Sequence, residues 1–209
     1  MTKSEKLKEI EEKMQKDNDL PLKRGATRLV FGVGNPESEI VLVGEGPGYW
    51  EDQKGEPFVG NAGKLLDQLL ASINYDRTRV YITNVVHHRP PENRDPEPSE
   101  IEAYGKYLDE MLDTINPKVI LTLGRFSMAK FLPEAKISAV HGRAFSVNWR
   151  SKSLVVVPMY HPAAALRSGE VMRSEKEDFL KLPEILKSFE EKSQKEKVRE
   201  PDAQQMNLI

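Results

Sequence analysis

Four short, uninterrupted apolar runs constrain this chain more than any other feature: Ile40–Val43, Val80–Thr83, Val119–Leu123 and Leu154–Val157. Each is rich in β-branched residues and bounded by turn formers, so each reads as a strand. Because the runs are continuous rather than alternating, they suit strands covered on both faces, as in a parallel sheet. Helical patterns separate them. Leu65, Leu66, Leu69, Leu70 and Ile73 form one stripe, and Ile101, Tyr104, Leu108, Met111, Leu112 and Ile115 form another, with Ser99 and Glu102 as its capping box. Further helices are expected from Arg125 and over 172–188.

This alternation predicts the α/β class: a three-layer α/β/α sandwich around a central, mostly parallel four-stranded sheet. One domain is expected over 1–189, followed by a flexible charged tail over 190–209. At the other end, Leu7, Ile10 and Met14 mark a helix that Ser4 can cap, and a short strand is expected around Thr27–Phe31.

The chain has no cysteine, which removes disulfides, thiolate catalysis and cysteine-held metals from consideration. Its four histidines, His87, His88, His141 and His161, form no His-Glu-x-x-His pattern, so no metal site is expected. A net charge of −2 gives no global attraction to a polyanion, and any nucleic-acid surface must be a local patch. With no apolar run near the ~20 residues of a membrane span, and no signal-peptide core, a cytoplasmic protein is expected.

In doubly wound sheets, ligands bind beyond the carboxyl ends of the strands. After the first strand stands Gly44-Glu45-Gly46-Pro47-Gly48-Tyr49-Trp50-Glu51-Asp52. This is a tight turn, a phosphate loop or a catalytic loop, although Pro47 and the acidic pair disfavour phosphate. Phe58 follows in a loop, either as a core plug or as a stacking platform for a flat ligand. The second strand ends at Asn84, which either caps a turn or offers its amide to a ligand. The fourth ends at His161-Pro162, where the histidine is either structural or catalytic.

Six strings, read in order, resemble the uracil-DNA glycosylase superfamily, and most closely its family 4. They are Gly-Glu-Gly-Pro-Gly-x-x-Glu-Asp at 44–52, Pro-Phe-Val-Gly-x-Ala-Gly at 57–63, Tyr-Ile-Thr-Asn-Val-Val at 81–86, Arg-Pro-Pro-Glu-Asn-Arg at 89–94, Pro-Lys-Val-Ile at 117–120 and His-Pro-Ala-Ala at 161–164. The resemblance runs from about Arg28 to Leu182. It implies a monofunctional enzyme of base-excision repair that flips uracil out of DNA and hydrolyses its N-glycosidic bond.

Carried over, the pattern makes Phe58 the stacking platform, Asn84 the reader of the uracil edge and His161 the group that stabilises charge on uracil O2. The loop at Glu45–Gly48, with Gly46 at the uracil, positions the base and the attacking water. The best-known members of the superfamily carry an aspartate where Gly46 stands, so the water falls to Glu45, Glu51 or Asp52, or is recruited with little base assistance. Leu166 or Arg167 fills the gap left by the flipped nucleotide. Arg89, Arg94, Arg143, Arg167 and Arg173 are candidates for DNA contact.

Two departures accompany the resemblance. The four cysteines that hold an iron–sulfur cluster in family 4 correspond to Asp17, Leu20, His88 and Tyr104, so no cluster and no cofactor is expected. The histidine through which one branch crosslinks to DNA corresponds to Asn93, so no stable adduct is expected.

The expected partner is uracil-containing DNA, single- or double-stranded, and the expected state a monomer. Gln205–Ile209 resembles the first half of a sliding-clamp-binding motif. Two other functions remain open at this stage: a module that binds uracil or single-stranded DNA without cleaving it, and a glycosylase shifted to other deaminated bases, with Tyr49 and Trp50 reshaping the pocket.

Overall fold

The computed structural model describes the backbone over residues 1–199 and side chains through Ser188. The strands are β1 (Val33–Gly34), β2 (Ile40–Gly44), β3 (Tyr81–Asn84), β4 (Val119–Leu123), β5 (Phe145–Trp149) and β6 (Lys152–Met159). They form one sheet in the order β1-β3-β2-β4-β6-β5. The middle four are mutually parallel, while β1 and β5 add antiparallel edges. The expected four-stranded sheet is therefore the centre of a six-stranded one.

Helices α1 (Lys3–Lys16) and α4 (Pro98–Ile115) cover one face, and α3 (Asn61–Ser72) and α8 (Gly169–Arg199) the other. Val41 and Val43 of β2 point into the first layer, whereas Ile40 and Leu42 point into the second. Burial on both sides is the physical reason why the strand sequences do not alternate. Short helices α2 (Tyr49–Lys54), α5 (Arg125–Ala129), α6 (Ile137–Val140) and α7 (Pro162–Ala165) sit in the connections.

Several local expectations shift. The strand expected around Thr27–Phe31 forms at Val33–Gly34 instead. Thr2, not Ser4, caps α1, in a capping box with Glu5. The capping box of α4 uses Glu97 and Glu100, one turn's fraction earlier than Ser99 and Glu102, because Pro98 fits the first helical position. The last helix extends to Arg199, so it takes in the start of the expected tail. The clamp-like Gln205–Ile209 segment lies outside the described residues. No described helix is long and apolar enough to cross a membrane.

Candidate active site

The carboxyl ends of β2, β3, β4 and β6 open into a cleft of about 580 Å³. Glu45, Gly46, Pro47, Gly48 and Glu51 line it after β2; Phe58 and Asn84 form part of its wall; His161, Ala163, Ala164 and Arg167 close it after β6. Three segments far apart in sequence thus meet where the topology of a doubly wound sheet places a ligand.

Gly44 is the point of closest approach. A Cβ there would stand 2.4 Å from Asn84 Oδ1 and 2.6 Å from Phe58 Cζ, so only glycine lets the amide and the ring converge. Asn84 is buried at 1% exposure, and its Oδ1 has no hydrogen-bond partner among the described residues. A buried acceptor left unmade in a folded chain is costly. Asn84 also lines the cleft, which brings its amide to a ligand bound there.

Phe58 is both core plug and cleft wall. It packs with Leu42, Leu66 and Leu70, and its ring stacks against His161 with centroids 5.7 Å apart and an interplanar angle of 28°. Its φ of 55° lies in the left-handed region, which disfavours an aromatic residue, so the surroundings must hold it. Arg77 donates from Nη1 to the Pro57 carbonyl at 3.0 Å and from Nη2 to the Phe58 carbonyl. Glu51 Oε1 accepts from the backbone N–H groups of Val59 and Gly60 at 2.9 and 2.8 Å. Gly63 leaves the space that the Phe58 carbonyl occupies, since a Cβ would meet that oxygen at 1.7 Å.

His161 caps α7, its Nδ1 accepting from the Ala163 N–H at 3.1 Å. Burial, then the nearby Arg167, pushes its pKa down to about 4. The ring is therefore neutral near pH 7, and with Nδ1 committed as acceptor the proton belongs on Nε2. His161 is a hydrogen-bond donor without a charge.

The three candidate carboxylates separate. Asp52 does not reach the cleft: it is buried, and its Oδ1 accepts from the N–H groups of Thr27 at 2.8 Å and Arg28 at 3.2 Å, pinning the N-terminal segment. Glu51 lines the cleft, but its carboxylate is engaged in holding the Phe58 loop. Glu45 has no side-chain hydrogen bond or ion pair among the described residues; burial, reinforced by Asp95, raises its pKa to about 6 against the pull of Arg125 and Arg167.

The arginines separate as well. Arg167 lines the cleft and is exposed, and Leu166 beside it is 49% exposed. Arg89 donates from Nε to Asn93 Oδ1 at 2.7 Å near the rim. Arg94 also lines the cleft, but Glu100 grips its guanidinium twice, at 2.8 and 2.6 Å, which ties it to the start of α4. Arg143 stands apart over the Phe145 ring, outside the cleft lining. Arg173 is exposed on α8. Tyr49 and Trp50 do not line the cleft, so they do not reshape it.

Sequence reasoning missed Arg125, which pairs with Asp95 at the rim, and Tyr160 in the wall. Both follow carboxyl ends of parallel strands, so the rule that located the other residues covers them. Arg77 carried no comparable signal.

A family profile described as the Uracil DNA glycosylase superfamily matches residues 31–186. The chain belongs to that superfamily. It is 46% identical over 187 residues to a type-4 uracil-DNA glycosylase of Archaeoglobus fulgidus, covering 87% of this chain and 94% of that protein. Type-4 uracil-DNA glycosylases of Sulfurisphaera tokodaii and Thermotoga maritima are 43% and 40% identical, covering 86% and 89% of this chain and 84% and 97% of theirs.

The four positions that the resemblance assigns to cluster ligands, Asp17, Leu20, His88 and Tyr104, offer no thiolate and do not fit an iron–sulfur cluster. Leu20 is buried in the core at 2% exposure and has no ligand atom. His88 Nδ1 and the Tyr104 hydroxyl are hydrogen-bonded to each other at 2.7 Å. Asp17 Oδ2 accepts from the Tyr107 hydroxyl at 2.7 Å and Lys106 Nζ at 3.0 Å, bonds that hold its pKa down at about 2. His88 and Tyr104 bind each other, and Asp17 binds Lys106 and Tyr107 of α4.

Proposed function

We propose that this chain excises uracil from DNA by hydrolysis of the N-glycosidic bond, leaving an abasic site, and that it does so without an iron–sulfur cluster. The observation that carries the reading is the unpartnered, buried Asn84 Oδ1 in the cleft wall. An Asn amide offers an acceptor and a donor side by side. Uracil presents N3–H and O4, which complement that pair, whereas cytosine presents an acceptor and a donor in the opposite order. A buried site of this kind rejects the wrong base strongly, because the mismatch leaves polar groups unpaired.

Uracil reaches the cleft by leaving the base stack, at a cost of a few kcal/mol. There it lies against Phe58 and pairs with Asn84. As the glycosidic bond lengthens, positive charge develops on the sugar and negative charge on uracil. The His161 Nε2–H donates to O2, and being neutral it strengthens its bond as that oxygen becomes anionic; one such donor contributes about 3–4 kcal/mol. Glu45, the one unengaged carboxylate of the three candidates, orients water toward the sugar carbon and takes its proton. Water adds to that carbon, and uracil departs with the bonding electron pair. Arg167 and Arg89 hold the backbone beside the cleft, and Leu166 fills the gap in the stack.

Labelled single-stranded DNA with one uracil, incubated with the protein and treated with alkali, tests this directly. A strand break is expected, reduced on the order of 10²–10³-fold in initial rate by His161→Ala. Tight uracil-dependent binding with no break would sink the enzyme reading and leave a uracil-binding module.

A further inference from the structure

Few large hydrophobic side chains stand exposed on this protein. Among the described residues they are Met1, Tyr49, Trp50, Leu166 and Leu180. Three of these flank the cleft in the chain. Leu166 lies between the lining residues Ala164 and Arg167, while Tyr49 and Trp50 lie between Gly48 and Glu51. Leu166 already has a use. The aromatic pair does not.

Tyr49 and Trp50 are 49% and 58% exposed, although α2 could have presented any polar residue at these positions. Their rings meet edge to face, 5.2 Å apart at 79°, so each fixes the orientation of the other. The Arg89 guanidinium stands 5.3 Å from the Tyr49 ring centre, and Nε is anchored on Asn93. Its Nη groups have no partner among the described residues. On the other flank, Trp50 overlies the turn at Gly60, where a Cβ would lie 3.6 Å from Trp50 Cδ1. Glu51 holds that same turn, and with it the Phe58 loop. The rings are thus oriented, exposed and tied to the wall of the cleft.

We propose that Tyr49 and Trp50, backed by Arg89, form a stacking platform for the unpaired base next to the flipped uracil, which makes single-stranded DNA the preferred substrate. This rests on the reading of the cleft as a uracil site. Every nucleobase has a flat face to stack, and an arginine beside the rings suits the intervening phosphate, so the surface fits a single strand of any sequence. In a duplex the flanking bases remain paired and stacked on their own neighbours, and the platform has little to receive. Their place between the cleft-lining Gly48 and Glu51 favours this occupant over a second protein.

The test uses single-stranded DNA holding 2′-fluoro-deoxyuridine, which resists hydrolysis, next to the fluorescent base 2-aminopurine. The wild-type protein should quench the fluorescence, Trp50→Phe should retain the quenching, and Trp50→Ala should lose it with an unchanged melting temperature. With cleavable uracil, Trp50→Ala should raise KM on single strands about ten-fold at constant kcat, and should change duplex KM less than about two-fold. Unchanged quenching and KM in Trp50→Ala would overturn the platform. So would a change in sedimentation in that variant without a change in DNA affinity, which would assign the rings to self-association. Quenching that depends on Trp50 in a protein unable to excise uracil would support the platform while removing the glycosylase reading. Excision with a Trp50-independent KM would do the reverse.

Discussion

Two regions of this molecule hold polar side chains in the core or at its edge, and they treat them differently. Beneath α1 and α4, His88 is bonded to Tyr104, and Asp17 is bonded to Tyr107 and Lys106. At the carboxyl ends of the strands, Asn84 Oδ1 and the Glu45 carboxylate have no partner among the described residues. Paired groups cement an interface, although His87 Nδ1 beside Tyr104 has no partner among the described residues; on the proposed function, the unpaired groups at the cleft are kept for a ligand. The difference also explains how a chain without cysteine can hold its N-terminal segment. Hydrogen bonds to α4 and the burial of Leu20 hold that segment.

One large effect that would sharpen the contrast concerns Glu45. If its carboxylate accepts the proton of the attacking water, excision should rise with pH through about 6, where Glu45 loses its own proton. Glu45→Gln should lower kcat on the order of 10²-fold and flatten that rise. A wild-type pH profile that Gln leaves intact would move the role elsewhere.

Glu175 is the hardest case for the comparison. It is fully buried on α8 and neither oxygen has a partner among the described residues, yet it does not line the cleft. Burial, with Asp178 beside it, raises its pKa to about 8. The folded state therefore holds this proton more tightly than the unfolded chain, and stability falls as pH rises from the ordinary carboxylate range through about 8. At pH 9, Glu175→Met should stabilise the protein by about 2 kcal/mol in urea unfolding, with excision unchanged. Loss of excision would mean that a buried unpaired group serves the reaction from outside the cleft.

The smallest effect belongs to the paired region. Tyr104→Phe removes the partner of His88 and should cost about 1 kcal/mol of stability while leaving excision rates as they were. A change in rate would break the separation between the two regions.

Much of this was legible in the chain. The parallel strands announced themselves because burial on both faces forbids alternation, and Phe58, Asn84 and His161 fell after the carboxyl ends of those strands. Strand β5 was not legible. It is only half-buried, and the hairpin joining it to β6 turns at Arg150 and Ser151, with φ of 47° and 65°, instead of at the Asn-Gly or Asp-Gly that signals such a turn. The sorting of the carboxylates was also hidden. Glu51 and Asp52 are adjacent in sequence, but helical geometry sends one toward Val59 and Gly60 and the other toward Thr27 and Arg28. Nor does any local pattern show that Arg94 is held by Glu100, or that Arg77 braces Phe58 from 19 residues away.

On the proposed function, Asn84 is kept unpaired in order to read uracil. Asn84→Ala, measured by single-turnover excision and by thermal melting on the same preparation, addresses it most directly. The account predicts a fall in rate on the order of 10²–10³-fold with a melting temperature equal to or above that of the wild type, since a buried amide without a partner contributes nothing to the fold. An excision rate within about ten-fold of wild type, or a clear drop in melting temperature, would contradict it.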